Sequence, residues 1–143
     1  MSQSNTRIGD FSVAAAVDLS GMADRLVVLG NNAGVPVVNL PAANSDPAVY
    51  LLVDEAPTGA QVAVRPLDGS RNARVVLKGT CNPGDLLVLA DVATAADKGK
   101  VRVLPATAGT YRVLGIAEQA GVDGQLVLVR PSTLGNVTVA AQQ

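Results

Sequence analysis

Few side chains in this chain could do chemistry. Cys81 is the single thiol, set in Gly79-Thr80-Cys81-Asn82-Pro83-Gly84-Asp85, and there is no His anywhere. A nucleophilic Cys needs a base, normally His, or a local field that lowers its pKa. The nearest basic residue along the chain is Lys78, so Cys81 reads as a small buried hydrophobe at a strand end. One thiol without imidazole builds neither an intrachain disulfide nor an ordinary zinc site. Among carboxylates, Asp54-Glu55 and Glu118 close two apolar runs and could form an acid–base pair only if they faced each other. Asp91 and Asp97 lack the alternating acidic pattern of a calcium loop. Lys98-Gly99-Lys100 is a turn with flanking charges, without the strand–loop–helix setting of a phosphate cradle. Arg65 and Arg130 each precede proline in similar surroundings and are candidates for pairing with acidic groups of a neighbouring chain. No catalytic residue, metal or cofactor is expected, and the sequence reads as a non-enzyme.

The composition supports this. The 143 residues are 48% hydrophobic and 16% charged, with a net charge of -1, enough chain for one domain with a sizeable core. Nearly all the apolar residues are Val, Leu and Ala, and aromatics are 2%. Val is stiff at its first torsion and suits a pleated surface. The 14 Gly and 8 Pro interrupt the apolar runs at short intervals. Short strands between turn signals predict an all-β sandwich or barrel. The near-neutral charge offers no electrostatic reason to bind nucleic acid or anionic lipid. Neither a secretory leader nor a membrane span is expected.

The elements recur in order. Arg25–Leu29 resembles Asp85–Leu89, and Val37–Ala42 resembles Val101–Ala106. Val49–Asp54 resembles Val113–Glu118, and Gly59–Pro66 resembles Gly124–Pro131. Asn72–Val75 ends the first set as Asn136–Val139 ends the second. Two similar units, about 25–78 and 85–143, are each too small to bury an apolar face alone and are expected to share a core within one β domain, 25–143. The connection from Ala90 to Gly99 is longer than its counterpart from Gly30 to Gly34. Asn31-Asn32-Ala33-Gly34 has hairpin-turn chemistry, and Asn82-Pro83-Gly84-Asp85 and Gly121-Val122-Asp123-Gly124 are further turns. Gln125–Val129 is nearly continuous apolar and predicts a strand covered on both faces. Residues 1–24 start polar and aperiodic and are expected to form an extended N-terminal arm.

Four segments also carry a resemblance. Pro83–Leu89, Gly99–Pro105, Gly109–Ala117 and Gly124–Val129 follow one another in the order found in the capsid decoration, or cement, proteins of tailed bacteriophages, whose usual runs are "GD-hydrophobic", "GKV", "VVGIA" and "G-hydrophobic-VxV". The chain resembles that family clearly over Gly79–Pro131 and more loosely before it. The resemblance implies a β-barrel or β-sandwich made in the host cytoplasm and carried on the outer surface of the virion head. It further implies a homotrimer that binds the major capsid protein and stabilises the capsid by bridging its subunits. Partner contact is then expected on the arm from Thr6 to Val17 and on the loops Ala42–Ala48 and Thr107–Tyr111. The candidate residues are Thr6, Arg7, Ile8, Phe11, Val13, Asn44, Asp46, Arg65, Tyr111 and Arg130. The alternative is a carbohydrate- or receptor-binding module of a phage fibre or spike, disfavoured by the scarcity of aromatics for sugar stacking. A carboxylate enzyme using Asp54, Glu55 and Glu118 is the remote third.

Overall fold

A computed structural model describes residues 9–132 and 134–142. The fold is all-β, with one 3-10 turn at Ala95–Asp97. Five strands form a closed barrel: β1 (Phe11–Ala15), β2 (Leu26–Asn32), β3 (Val35–Asn39), β4 (Tyr50–Leu52) and β5 (Gln61–Pro66), in the order β1-β3-β2-β4-β5. Closure is made by β1, which runs parallel to β3 and antiparallel to β5. Five more strands follow: β6 (Ala73–Val76), β7 (Leu86–Leu89), β8 (Val101–Val103), β9 (Gly109–Ala117) and β10 (Leu126–Pro131), in the order β6-β10-β9-β7-β8. The last strand, β11 (Asn136–Val139), pairs with the first half of β9.

Turn chemistry sets the hairpins. Asn32 pairs with Val35, leaving Ala33 and Gly34 as the two central residues at φ 50 and 88. This is the mirror-image turn whose twist suits a hairpin, and Asn31 Oδ1 accepts the Gly34 N–H at 2.7 Å. Residues 9–24 are not a free arm, at variance with the sequence expectation. Alternation in Phe11–Ala15 puts Val13 and Ala15 inside the barrel, and Leu19 is fully buried behind them. An edge strand left free would expose both its backbone and this apolar row, so closing the barrel is favoured.

The two sets of strands have the same pairings, strand for strand. β1–β5, β2–β3, β2–β4 and β4–β5 recur as β6–β10, β7–β8, β7–β9 and β9–β10. The parallel β1–β3 pair recurs as the single bridge Leu77–Val101. Loop hydrogen bonds repeat too: the Leu19 N–H donates to Ala56 O as the Cys81 N–H donates to Gly121 O. The repeat frame therefore starts one strand earlier than the sequence matches suggested. Asn72–Val75 belongs with β1, and β11, which holds Asn136–Val139, has no counterpart. Two matches also slip by one residue. Tyr50 faces Pro66 as Gly115 faces Pro131, and Val38 takes the place of Val101. In a strand such a slip exchanges the faces, and Val-rich runs match nearly as well in either register.

With the frame corrected, the interiors correspond. The first barrel encloses Val13, Ala15, Leu19, Val27, Val38, Leu52, Val62 and Val64. The equivalent positions are Val75, Leu77, Cys81, Leu87, Val101, Ala117, Val127 and Val129, all in one buried cluster. Volume is exchanged rather than kept: Ala15 becomes Leu77, while Leu19 becomes Cys81 and Leu52 becomes Ala117. Leu26, Ala48 and Leu51, from the outer side of the first barrel, join that second cluster and weld the halves. β10 alternates, with Val127 and Val129 buried and Leu126 and Leu128 half-buried, rather than being sealed on both faces.

Candidate functional site

The residues expected to meet a partner fall into three groups. Thr6, Arg7 and Ile8 lie outside the described residues. Val13 and Tyr111 are core residues, 2% and 3% exposed. The Tyr111 hydroxyl donates to Thr107 O at 2.9 Å, and the Arg102 guanidinium lies 5.7 Å from its ring centroid. Phe11 is half-buried and meets the Tyr50 ring edge-on at 5.7 Å. These three side chains hold strands together and do not project to a partner.

Arg65 and Arg130 are matched within the chain, not left for a neighbour. Arg65 Nε donates to Asp10 Oδ1 at 2.7 Å, and Nη2 to Asp10 Oδ2 at 3.1 Å. That pairing holds the Asp10 carboxyl below its ordinary pKa and raises the guanidinium's. Arg130 forks onto Glu118, with Nε and Nη2 at 3.3 and 3.2 Å from its two oxygens. Glu118 also accepts from Asn72 Nδ2, and Asn72 is the positional equivalent of Asp10. The arginine keeps its place in both halves while the carboxylate comes from a different strand. Glu55 accepts the Gly21 N–H at 3.1 Å, so Glu55 and Glu118 serve separate structural contacts in different halves of the fold.

The loop at 41–48 is internally braced. Asp46 Oδ2 accepts the N–H groups of Ala42 and Ala43 at 2.8 and 3.0 Å. Asn44 O accepts the Arg112 N–H at 3.0 Å, while Asn44 Oδ1 is buried without a partner. Beside this loop a cleft of about 140 Å³ opens between Val49, Leu67, Arg112 and Ser132. Cys81 is buried, and burial together with the nearby Asp85 charge pushes its thiol pKa up, the opposite of activation.

Two further surface features lie outside the residues expected to meet a partner. The first is the long β7–β8 connection. Its 3-10 turn inserts Asp97 between Lys100 (2.9 Å) and Lys78 (3.7 Å), and Lys78 also reaches Asp123 at 4.0 Å. The Lys100 hydrogen bond and the two positive charges hold the Asp97 carboxyl below its ordinary pKa. The other side of this connection docks on the first barrel: Arg25 Nη1 donates to Ala96 O at 2.8 Å and Lys98 O at 3.1 Å, and the Leu26 N–H donates to Gly99 O at 2.8 Å.

The second feature is a shallow groove of about 550 Å³ over the β1–β3 seam, lined by Ala14, Ala16, Val37, Asn39, Asn32 and Thr58 among others. Small neutral side chains give no motif, so only a correct internal alignment could have drawn attention to them. The largest exposed apolar side chains are Val35 at the tip beside this groove, with Leu29 behind it, and Val122 and Leu134 elsewhere.

The sequence matches no known family, and none of the curated proteins matches it. Among solved structures, the chain is similar to the N base of the head fibre gp8.5 of bacteriophage phi29. The TM-score is 0.64 at 24% identity, over 86% of this chain and 92% of that one. That likeness establishes the fold. Nearly the whole of the phage domain is matched, so the similarity extends over both sets of strands and not a single barrel.

Proposed function

We propose that this protein is a non-catalytic structural component of a tailed-phage virion. It sits on the outer surface of the head, binds the major capsid protein as a homotrimer and stabilises the capsid across subunit seams. The observation that carries this reading is the similarity in fold, over 92% of its length, to the base of a phage head fibre. The strand-order resemblance of Gly79–Pro131 to decoration proteins supports it independently. The chemistry is compatible, because Asp10, Arg65, Asp97, Glu118 and Arg130 are used in holding the fold, and many modest interfaces acting together can resist internal pressure. The fibre-base character of the structural neighbour favours a second reading, in which this domain anchors an appendage that recognises a receptor or carbohydrate.

Co-sedimentation of the purified protein with expanded and unexpanded heads tests the proposal. Saturable binding to expanded heads, at a copy number divisible by three, is expected. Absence of binding to any mature head would overturn it. A requirement for an additional distal chain on the bound particle would favour the fibre-base reading.

A further inference from the structure

The duplicated fold allows one half to show what the other half lacks. The groove over the β1–β3 seam has its equivalent over the Leu77–Val101 bridge, because the Ala16 N–H donates to Val38 O as the Lys78 N–H donates to Val101 O, both within 2.8–2.9 Å. By the same register Val37 corresponds to Lys100, and Thr58, next to Gly59, corresponds to Asp123, next to Gly124. In the second half these positions are covered. The 3-10 turn lies over them and seats Asp97, 8% exposed, between Lys78 and Lys100. In the first half the connection is a two-residue turn, Ala33-Gly34, and cannot reach back. Among the described residues nothing covers the seam there.

We infer that the β1–β3 groove receives an uncharged polypeptide loop from the head-surface protein, seated as the Ala95–Asp97 turn is seated in the second half. This rests on the capsid-binding function proposed above and names the surface of this chain that does it. The occupant's chemistry follows from the exchange of lining residues. Where the second half offers two lysines to an aspartate, the first offers Ala16 and Val37, which can neither attract nor neutralise a charge. A charged occupant would be desolvated without compensation. Asn32 and Thr58 remain to meet backbone amides and carbonyls, and an apolar side chain on the loop would cover Ala14 and Val37. Asn31 and Asn39 are already engaged, to Gly34 N and Leu40 N.

The test uses the full chain. Ala16→Lys and Val37→Lys together copy the second half's lining at an exposed and a half-buried position, where folding is little disturbed. Binding to expanded heads is measured by co-sedimentation. The double variant is expected to bind roughly 100-fold more weakly, since two lysines would be buried without a partner carboxylate. Hydrogen exchange on the unaltered protein gives a second readout: amides of Ala14–Ala16 and Gly30–Asn39 should slow on head-bound protein. Undiminished binding by the folded double variant, or unchanged exchange in these amides on bound protein, overturns the groove assignment and leaves head binding standing. Failure of the unaltered protein to bind heads removes both.

Discussion

Replacing Gly121 by alanine probes the exchange of volume between the two halves of the fold. Its counterpart in the first half is Ala56, which packs against the cluster that holds Ala15, whereas Gly121 faces Leu77. A Cβ built at Gly121 would lie 2.9 Å from Leu77 Cδ2 and 3.5 Å from both Cys81 Sγ and Val127 Cγ2. Leu77 is fully buried, so its methyl cannot swing clear. Overpacking of this kind costs about 1–3 kcal/mol, offset by about 0.4–1 kcal/mol from stiffening the unfolded chain. The single variant should therefore lose roughly 1–2 kcal/mol. Leu77→Ala alone leaves a cavity and should cost about 2–5 kcal/mol. In the double variant the clash disappears and the new methyl fills part of the void, recreating the Ala–Ala arrangement of the first barrel. The pair should then cost less than the sum of the singles by about 1–3 kcal/mol. Urea titration of all four proteins, at one concentration and with a constant slope m, measures this cycle. Additivity within about 0.5 kcal/mol would refute the claim that these positions are exchanged partners in a duplicated core.

Four other outcomes follow from the same structure. Asp97→Asn should lower stability by roughly 1–3 kcal/mol at neutral pH, from a charged hydrogen bond to Lys100. Because the folded-state pKa of Asp97 is depressed, this stabilisation exists above the unfolded carboxylate value and fades as pH falls through the folded one. Melting curves of the two proteins should accordingly differ at pH 7 and converge in strong acid. Gly99→Ala should cost more than about 1–2 kcal/mol, since φ is +84 and the Cβ would sit 2.7 Å from Leu26 O; a melting temperature within a degree of the parent's would contradict this. Deleting residues 1–17 removes β1, so the first barrel should open, seen as dye binding and loss of cooperative unfolding. Cys81 should resist a thiol reagent in the native protein and react fully in denaturant, as a buried thiol with a raised pKa requires.

Local chemistry made much of the fold legible. Valine-rich runs between Gly and Pro marked the strands, and Asn31–Gly34 marked its hairpin, because both signals act within a few residues. The fate of Cys81 followed from the missing base. The candidate contact residues fared worse. Phe11 and Val13 lie in an apolar run behind a polar start and Tyr111 in a loop-like stretch, and they are internal because β1 closes a barrel and β11 pairs alongside Tyr111. Arg65 and Arg130 looked available because their carboxylates, Asp10 and Glu118, are brought in by strand pairing across long loops and not by sequence neighbours.

Taken alone, the order of residues determined that this is a β protein with turns in particular places, built from a duplicated pattern and poor in reactive groups. Those properties depend on alternation and turn propensity, which are local. Register, closure and coverage were decided in three dimensions. A run of valines fits its neighbour almost equally well when shifted by one residue, and only packing against the opposite wall selects the face that goes inside. The same holds for the groove over β1 and β3. Nothing in alanine, valine or threonine marks a surface as open; the contrast lies in the second half, which carries at the matching place a turn of its own chain.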